Sequence, residues 1–127
     1  KLTCAIIPSA IDLAMDVHGT RVMQTLVEVL GRNYLDCHTE ILDLAAEFNE
    51  AIFDMTIHPN ANHVIQAFLL TFKASELPKH DDKPGSAGFS VYTNFIFNAC
   101  INYCDEIGSD KHGCCVMQRC LEKGLRS

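Results

Sequence analysis

The chain has 127 residues, of which 48% are hydrophobic and 20% charged, with a formal net charge of −6. That balance excludes a disordered polyelectrolyte and allows one hydrophobic core. It also excludes a generic polyanion binder, whose affinity rests on Lys and Arg neutralising phosphates; nucleic acid could be held here only if base edges and stacking carried most of the affinity.

In chain order, the first segment carries apolar residues at helical spacing (Ile6, Ala10, Leu13). It has neither a basic leader nor a small-residue cleavage site, so no signal peptide is expected. A chain opening on Lys1 is expected to be cut from a longer one. Asp16 to Gly19 forms a polar turn, and Gly19 opens a second helix. On it, Val22, Leu26 and Val27 are expected to point inward, with Thr20, Arg21 and Gln24 on another side.

A small insertion is expected near Gly31 to His38. Ile41 to Met55 then repeats the apolar helical period through Ile41, Leu42, Leu44, Ala45, Phe48, Ile52 and Phe53. His58-Pro59-Asn60 is the next turn, followed by a second helix. Ser75 to Ser90, rich in Pro, Gly and charge, is expected to be a solvent-exposed insertion loop. Phe89 to Ile107 is helical again, Asp110 to Gly113 turns, and a final helix follows. Strand-like alternation is absent at any length, so the chain is expected to be all-α. No apolar run approaches the roughly 18 residues of a membrane span.

These elements form an internal repeat. The segments Asp16–Glu28, His58–Leu70 and Asp110–Glu122 align without gaps. Each has a small residue (Gly19, Ala61, Gly113), Val three positions on (Val22, Val64, Val116) and Gln five positions on (Gln24, Gln66, Gln118). Apolar pairs follow: Leu26 with Val27, Phe68 with Leu69, and Cys120 with Leu121. Upstream, Leu13, Met55 and Ile107 share a column, as do Ala10, Ile52 and Cys104, and Ile6, Phe48 and Cys100. Each unit is therefore helix, polar turn, helix. The repeats are expected over residues 3–40, 41–74 and 91–127, with the insertion at 75–90. Core packing does not call for a polar Gln at one fixed offset in all three segments.

Residues one and five positions after the small residue lie one helical turn apart and point the same way. They give the pairs Thr20 with Gln24, Asn62 with Gln66, and Cys114 with Gln118; Arg21, His63 and Cys115 lie beside them. A Gln amide presents donor and acceptor on one planar head. Guanidinium and imidazole offer flat faces for base stacking, which Cys115 does not.

Gly-Thr-Arg-Val-Met-Gln, Asn-His-Val-Ile-Gln and His-Gly-Cys-Cys-Val-Met-Gln-Arg-Cys resemble the base-reading helices of Pumilio/PUF repeats. The resemblance covers most of the chain outside the insertion and suggests three consecutive central repeats of a domain that usually has eight. It implies a right-handed α-α superhelix of armadillo-like type, here an incomplete solenoid. It further implies single-stranded RNA bound at one base per repeat, with Thr20, Gln24, Asn62, Gln66, Cys114 and Gln118 on base edges and Arg21, His63 and Cys115 between bases. In the family, Asn with Gln goes with uracil and Cys with Gln with adenine, while Thr with Gln is a less common pair that tolerates adenine. RNA runs antiparallel to the protein, so the implied core is 5′-A-U-A-3′. The resemblance also implies a cytoplasmic regulator of messenger RNA that binds 3′ untranslated regions, represses translation or promotes decay, and works with protein co-regulators.

The same residues admit other readings. Seven cysteines form an odd set at helical spacings, so they are expected to be reduced thiols acting as small buried hydrophobes. A nucleophile–base pair of Cys114 or Cys115 with His112 lacks an oxyanion site and an orienting third group, so no enzyme is expected. A zinc site from Cys100, Cys104, His112 and Cys114 conflicts with the core columns that hold Cys100 and Cys104; no metal or cofactor is expected. His18 and His112 are expected to satisfy backbone groups of their turns. The competing function is a protein–protein scaffold of HEAT or armadillo type, which would not require the recurrent Gln. The exposed ends of so short a stack are expected to favour self-association.

Overall fold

The computed structural model describes residues 6–72 and 92–124, and every regular element among them is helical. The insertion expected at 75–90 lies outside these residues. A 3₁₀ turn (Ile7–Ser9) with Pro8 in its first positions leads into α1 (Ala10–Met15). α2 (Gly19–Arg32) follows, then α3 (His38–Asn49), α4 (Ile52–Ile57) and α5 (Ala61–Thr71). After the undescribed stretch come α6 (Asn94–Asn102), α7 (Cys104–Gly108) and α8 (Gly113–Gly124).

The long second helices α2, α5 and α8 lie side by side, with α5 packed against both of the others. The remaining helices form a second layer behind them. Met23, Val27 and Leu30 on α2 are spaced to share one stripe, and all are buried. Phe68 on α5 joins the layers. Its ring stands edge-on to Phe48 of α3 at 6.2 Å and to Phe95 of α6 at 5.5 Å, and contacts Phe72 at 4.8 Å. Edge-to-face geometry at these separations suits the ring quadrupole.

The first helix of each unit is broken, where the sequence predicts continuity from Ile41 to Met55 and from Phe89 to Ile107. The break recurs in one column. Ser9 has φ −105° and ψ 7°, Ala51 φ −126° and ψ 25°, and Tyr103 φ −119° and ψ 36°. These angles leave the helical basin for one residue and re-aim the next short helix.

Gly31 also differs from its expected place in an insertion. It lies inside α2, where an added Cβ would collide with the Thr71 side chain at the end of α5. It is a helix-contact glycine, and the connection to α3 is residues 33–37.

The expected sides of two residues on α2 change as well. Val22, expected inward, is 55% exposed, because nothing among the described residues packs on its side of α2; Thr20, expected outward, is only 6% exposed, with its hydroxyl bonded to Asn60 O of the next unit. Cys104 is exposed for the converse reason at the downstream end, whereas Cys100 is buried as its column predicts.

Candidate nucleic-acid interface

Each second helix starts from the same turn. The N–H groups of His18 and Gly19 donate to Asp16 Oδ2 at 2.9 and 2.7 Å. In the third unit His112 and Gly113 donate to Asp110 Oδ2, both at 2.8 Å. In the second, Asn60 and Ala61 donate to His58 Nδ1 at 3.1 and 3.3 Å. These groups occupy one column and satisfy amides that a helix start leaves without partners. The side chains that hold the outer turns are thus Asp16 and Asp110, not His18 and His112. Hydrogen bonding from Gly19, then His18, holds the Asp16 carboxyl below its usual value, and Gly113 chiefly does so for Asp110.

The turns also set how closely the helices approach. A Cβ on Gly19 would stand 2.5 Å from Leu13 O, and one on Gly113 2.5 Å from Ile107 O. Between units, Asn60 Nδ2 donates to Met15 O and Thr20 Oγ1 donates to Asn60 O, each at 2.9 Å. These bonds tie the first and second turns together.

From this frame two of the three pairs are brought into contact. Gln24 Nε2 donates to Thr20 Oγ1 at 3.4 Å, and Gln66 Nε2 to Asn62 Oδ1 at 2.9 Å. Asn62 is 2% exposed; its Nδ2 donates to His58 O at 2.7 Å and Pro59 O at 3.0 Å. Thr20 and Asn62 therefore lie at the floor, with the Gln24 and Gln66 amides half-buried above them. In the third unit the Cys114 thiol faces the Lys111 carbonyl at 3.4 Å, and Gln118 is exposed. Arg21, His63 and Cys115 are all exposed beside their pairs.

Arg119 belongs to this surface although no repeated column marks it. Its Nε donates to Gln66 Oε1 at 3.4 Å, and its guanidinium also meets Glu122 at 3.4 Å. The Gln66 amide is thus held at both ends, by Asn62 and by the next repeat. The available signal was a lone cation next to Gln118, six positions after Gly113.

The cysteines do not form the alternative sites. Cys100 Sγ lies 3.5 Å from Cys120 Sγ, and Cys104 points to solvent. Desolvation and the neighbouring Cys115 push the Cys114 thiol up, opposite to an activated nucleophile. No described helix is long and apolar enough to cross a membrane.

The family model described as "Pumilio-family RNA binding repeat" matches residues 9–36, 51–74 and 100–125. Pumilio homolog 12 of Arabidopsis thaliana is 32% identical over 111 residues, covering 87% of this chain and 15% of that protein. A second Arabidopsis thaliana pumilio homolog is 34% identical over 116 residues, with 91% of this chain and again 15% of the relative covered. Among solved structures, the Puf4 RNA-binding domain bound to a 3′ UTR recognition sequence of HO endonuclease RNA superposes with a TM-score of 0.74 at 28% identity. The match takes in 97% of this chain and 32% of that one. The chain therefore spans a small part of the relatives it matches.

Proposed function

Because the chain belongs to the Pumilio family of RNA-binding repeat proteins, we propose that it binds single-stranded RNA through the row of second helices, at one base per repeat. The observation that carries this reading is the recurrence of one arrangement on α2, α5 and α8. Each presents a Gln amide one turn above a small polar group or thiol, with an exposed side chain beside it.

Gln24, Gln66 and Gln118 reach the base edges. A base that also contacts Asn62 does so by taking over the bond now made by Gln66 to Oδ1, since the Asn62 amide nitrogen is already engaged in the turn. Thr20 and Cys114 play the corresponding part in the outer repeats. Arg21 and His63 stack between bases, and Cys115 contributes less because a thiol has no planar face. By the pairings of the family, the three sites read 5′-A-U-A-3′ across the proposed repeats 3–40, 41–74 and 91–127. The biological setting we assign is cytoplasmic regulation of messenger RNA through its 3′ untranslated region, with protein co-regulators. The net charge of −6 fits an interface whose affinity comes from bases more than phosphates, and predicts a shallow salt dependence.

Fluorescence anisotropy with short labelled RNAs tests the reading. An RNA carrying A-U-A in a uridine-rich context should bind more tightly than one whose central U is replaced by G. Gln66→Ala should reduce that preference. A folded chain that ignores every RNA, even at high concentration, would overturn it in favour of a protein-binding scaffold.

A further inference from the structure

Gln66 and Gln24 occupy one column but face different neighbours on the next second helix. Gln66 Oε1 accepts from Arg119 Nε on α8 at 3.4 Å, while its Nε2 donates to Asn62 Oδ1 at 2.9 Å. The Arg119 guanidinium is in turn engaged by Glu122 at 3.4 Å. Arg119 stands six positions after Gly113, and the residue in that column on α5 is Ala67. A methyl has no proton to give Gln24, whose amide bonds along its own helix to Thr20 Oγ1 at 3.4 Å.

One end of a Gln amide donates and the other accepts, so the end turned to a base decides what that base must offer. In the free molecule Asn62 and Arg119 both fix the choice at Gln66. Asn62 ceases to do so once a base takes its Oδ1. Arg119 then keeps Oε1 turned toward α8 and leaves Nε2 for the base. A carbonyl oxygen accepts from Nε2, whereas an amino group in its place sets donor against donor. Uracil has a carbonyl oxygen on each side of its ring N–H; cytosine carries an amino group in place of one of them. An amide free to turn over would suit either base.

On the reading that RNA lies along the second helices, on which this inference rests, we propose that Arg119 is a positioning residue for the neighbouring repeat. Engaged by Glu122, it fixes the Gln66 amide so that the middle site takes uracil and rejects cytosine. Recognition at one repeat is then set partly by the next. The first site, where Ala67 stands in place of Arg119, lacks this clamp and is the more permissive of the two.

Fluorescence anisotropy with two labelled RNAs, A-U-A and A-C-A in the same flanking sequence, tests the clamp. The parent should prefer A-U-A by roughly tenfold, the cost of facing donors left unpaired. Arg119→Met keeps a long stem and removes every donor, and the preference should shrink to about twofold. Changing the base read by Gln24 should cost the same in parent and variant, because α5 stands between α2 and Arg119. The Arg119 side chain is 43% exposed, so the urea midpoint should hardly move; Arg119→Ala is a second variant with the same expectation. A parent indifferent between the two RNAs would overturn the clamp while leaving RNA binding intact. So would a preference that survives both substitutions, including one that survives while both RNAs weaken together, as loss of a phosphate contact would give. A parent that binds neither RNA would instead overturn the RNA-binding reading and the clamp with it.

Discussion

Gln66 donates through Nε2 to Asn62 Oδ1 at 2.9 Å, one turn back on α5, while Asn62 Nδ2 donates to the carbonyls of His58 and Pro59. The two residues share a site but carry different loads. Asn62 is buried and holds the turn; Gln66 rests on it and reaches outward. Asn62→Ala removes the donor that satisfies two carbonyls and should lower folding stability by about 1–3 kcal/mol. Gln66→Ala should leave the denaturant midpoint nearly unchanged and weaken RNA binding by about 1 kcal/mol, roughly fivefold. Urea unfolding beside anisotropy separates the two effects. Equal loss of stability in both variants would contradict this division.

The neighbouring exposed positions test stacking. His63 offers a planar imidazole and Cys115 does not, although both stand two residues past their small residue. His63→Ala should cost about 1–3 kcal/mol of binding, the usual worth of one stacked base. Cys115→Tyr should tighten binding, since its position is open to solvent and the new ring displaces nothing. The check is the same titration, with the U-to-G RNA as specificity control.

The second helices could be read from the sequence because Val, Gln and the small residue recur at fixed offsets, and local spacing alone places Thr20 by Gln24 and Asn62 by Gln66. The breaks at Ala51 and Tyr103 could not, since no Pro or Gly marks either position. Val22 and Leu121 carry the same pattern as their buried column mates, so their exposure depends on which helices are beside them. Arg119 reaches Gln66 from 53 positions away, a contact that only the stacking of α8 on α5 creates. Asp16, His58 and Asp110 share a column but not a residue type, which hides their common role.

Gly113 and Ala61 hold equivalent positions under different constraints. A methyl on Gly113 would meet Ile107 O at 2.5 Å and the Ile107 side chain at 3.1 Å. Backbone cannot yield as a side-chain tip does, so Gly113→Ala should destabilise by about 1–3 kcal/mol through forced separation of α7 and α8. Ala61 already fits a methyl with no exposed surface. Ala61→Gly should cost less, about 0.5–1 kcal/mol, from the greater freedom of glycine in the unfolded chain. Chemical denaturation of the two variants tests the order, and a larger loss at Ala61 would contradict it.

The turn acceptors make stability depend on pH. Amides of Gly19 and His18 favour the ionised Asp16 carboxylate, and Gly113 chiefly favours that of Asp110, so both titrate below the ordinary aspartate value when folded. A carboxyl with a depressed folded pKa stabilises fully above its unfolded pKa. Its contribution starts to fade as pH falls below 3.8 and is gone once the folded value is passed. Both groups are solvent-accessible, so screening moderates the effect. Asp16→Asn keeps an oxygen for the Gly19 amide without the titrating charge. Denaturant midpoints followed downward from neutral pH should therefore fall less steeply in Asp16→Asn than in the parent, and an identical acid slope would contradict the assignment.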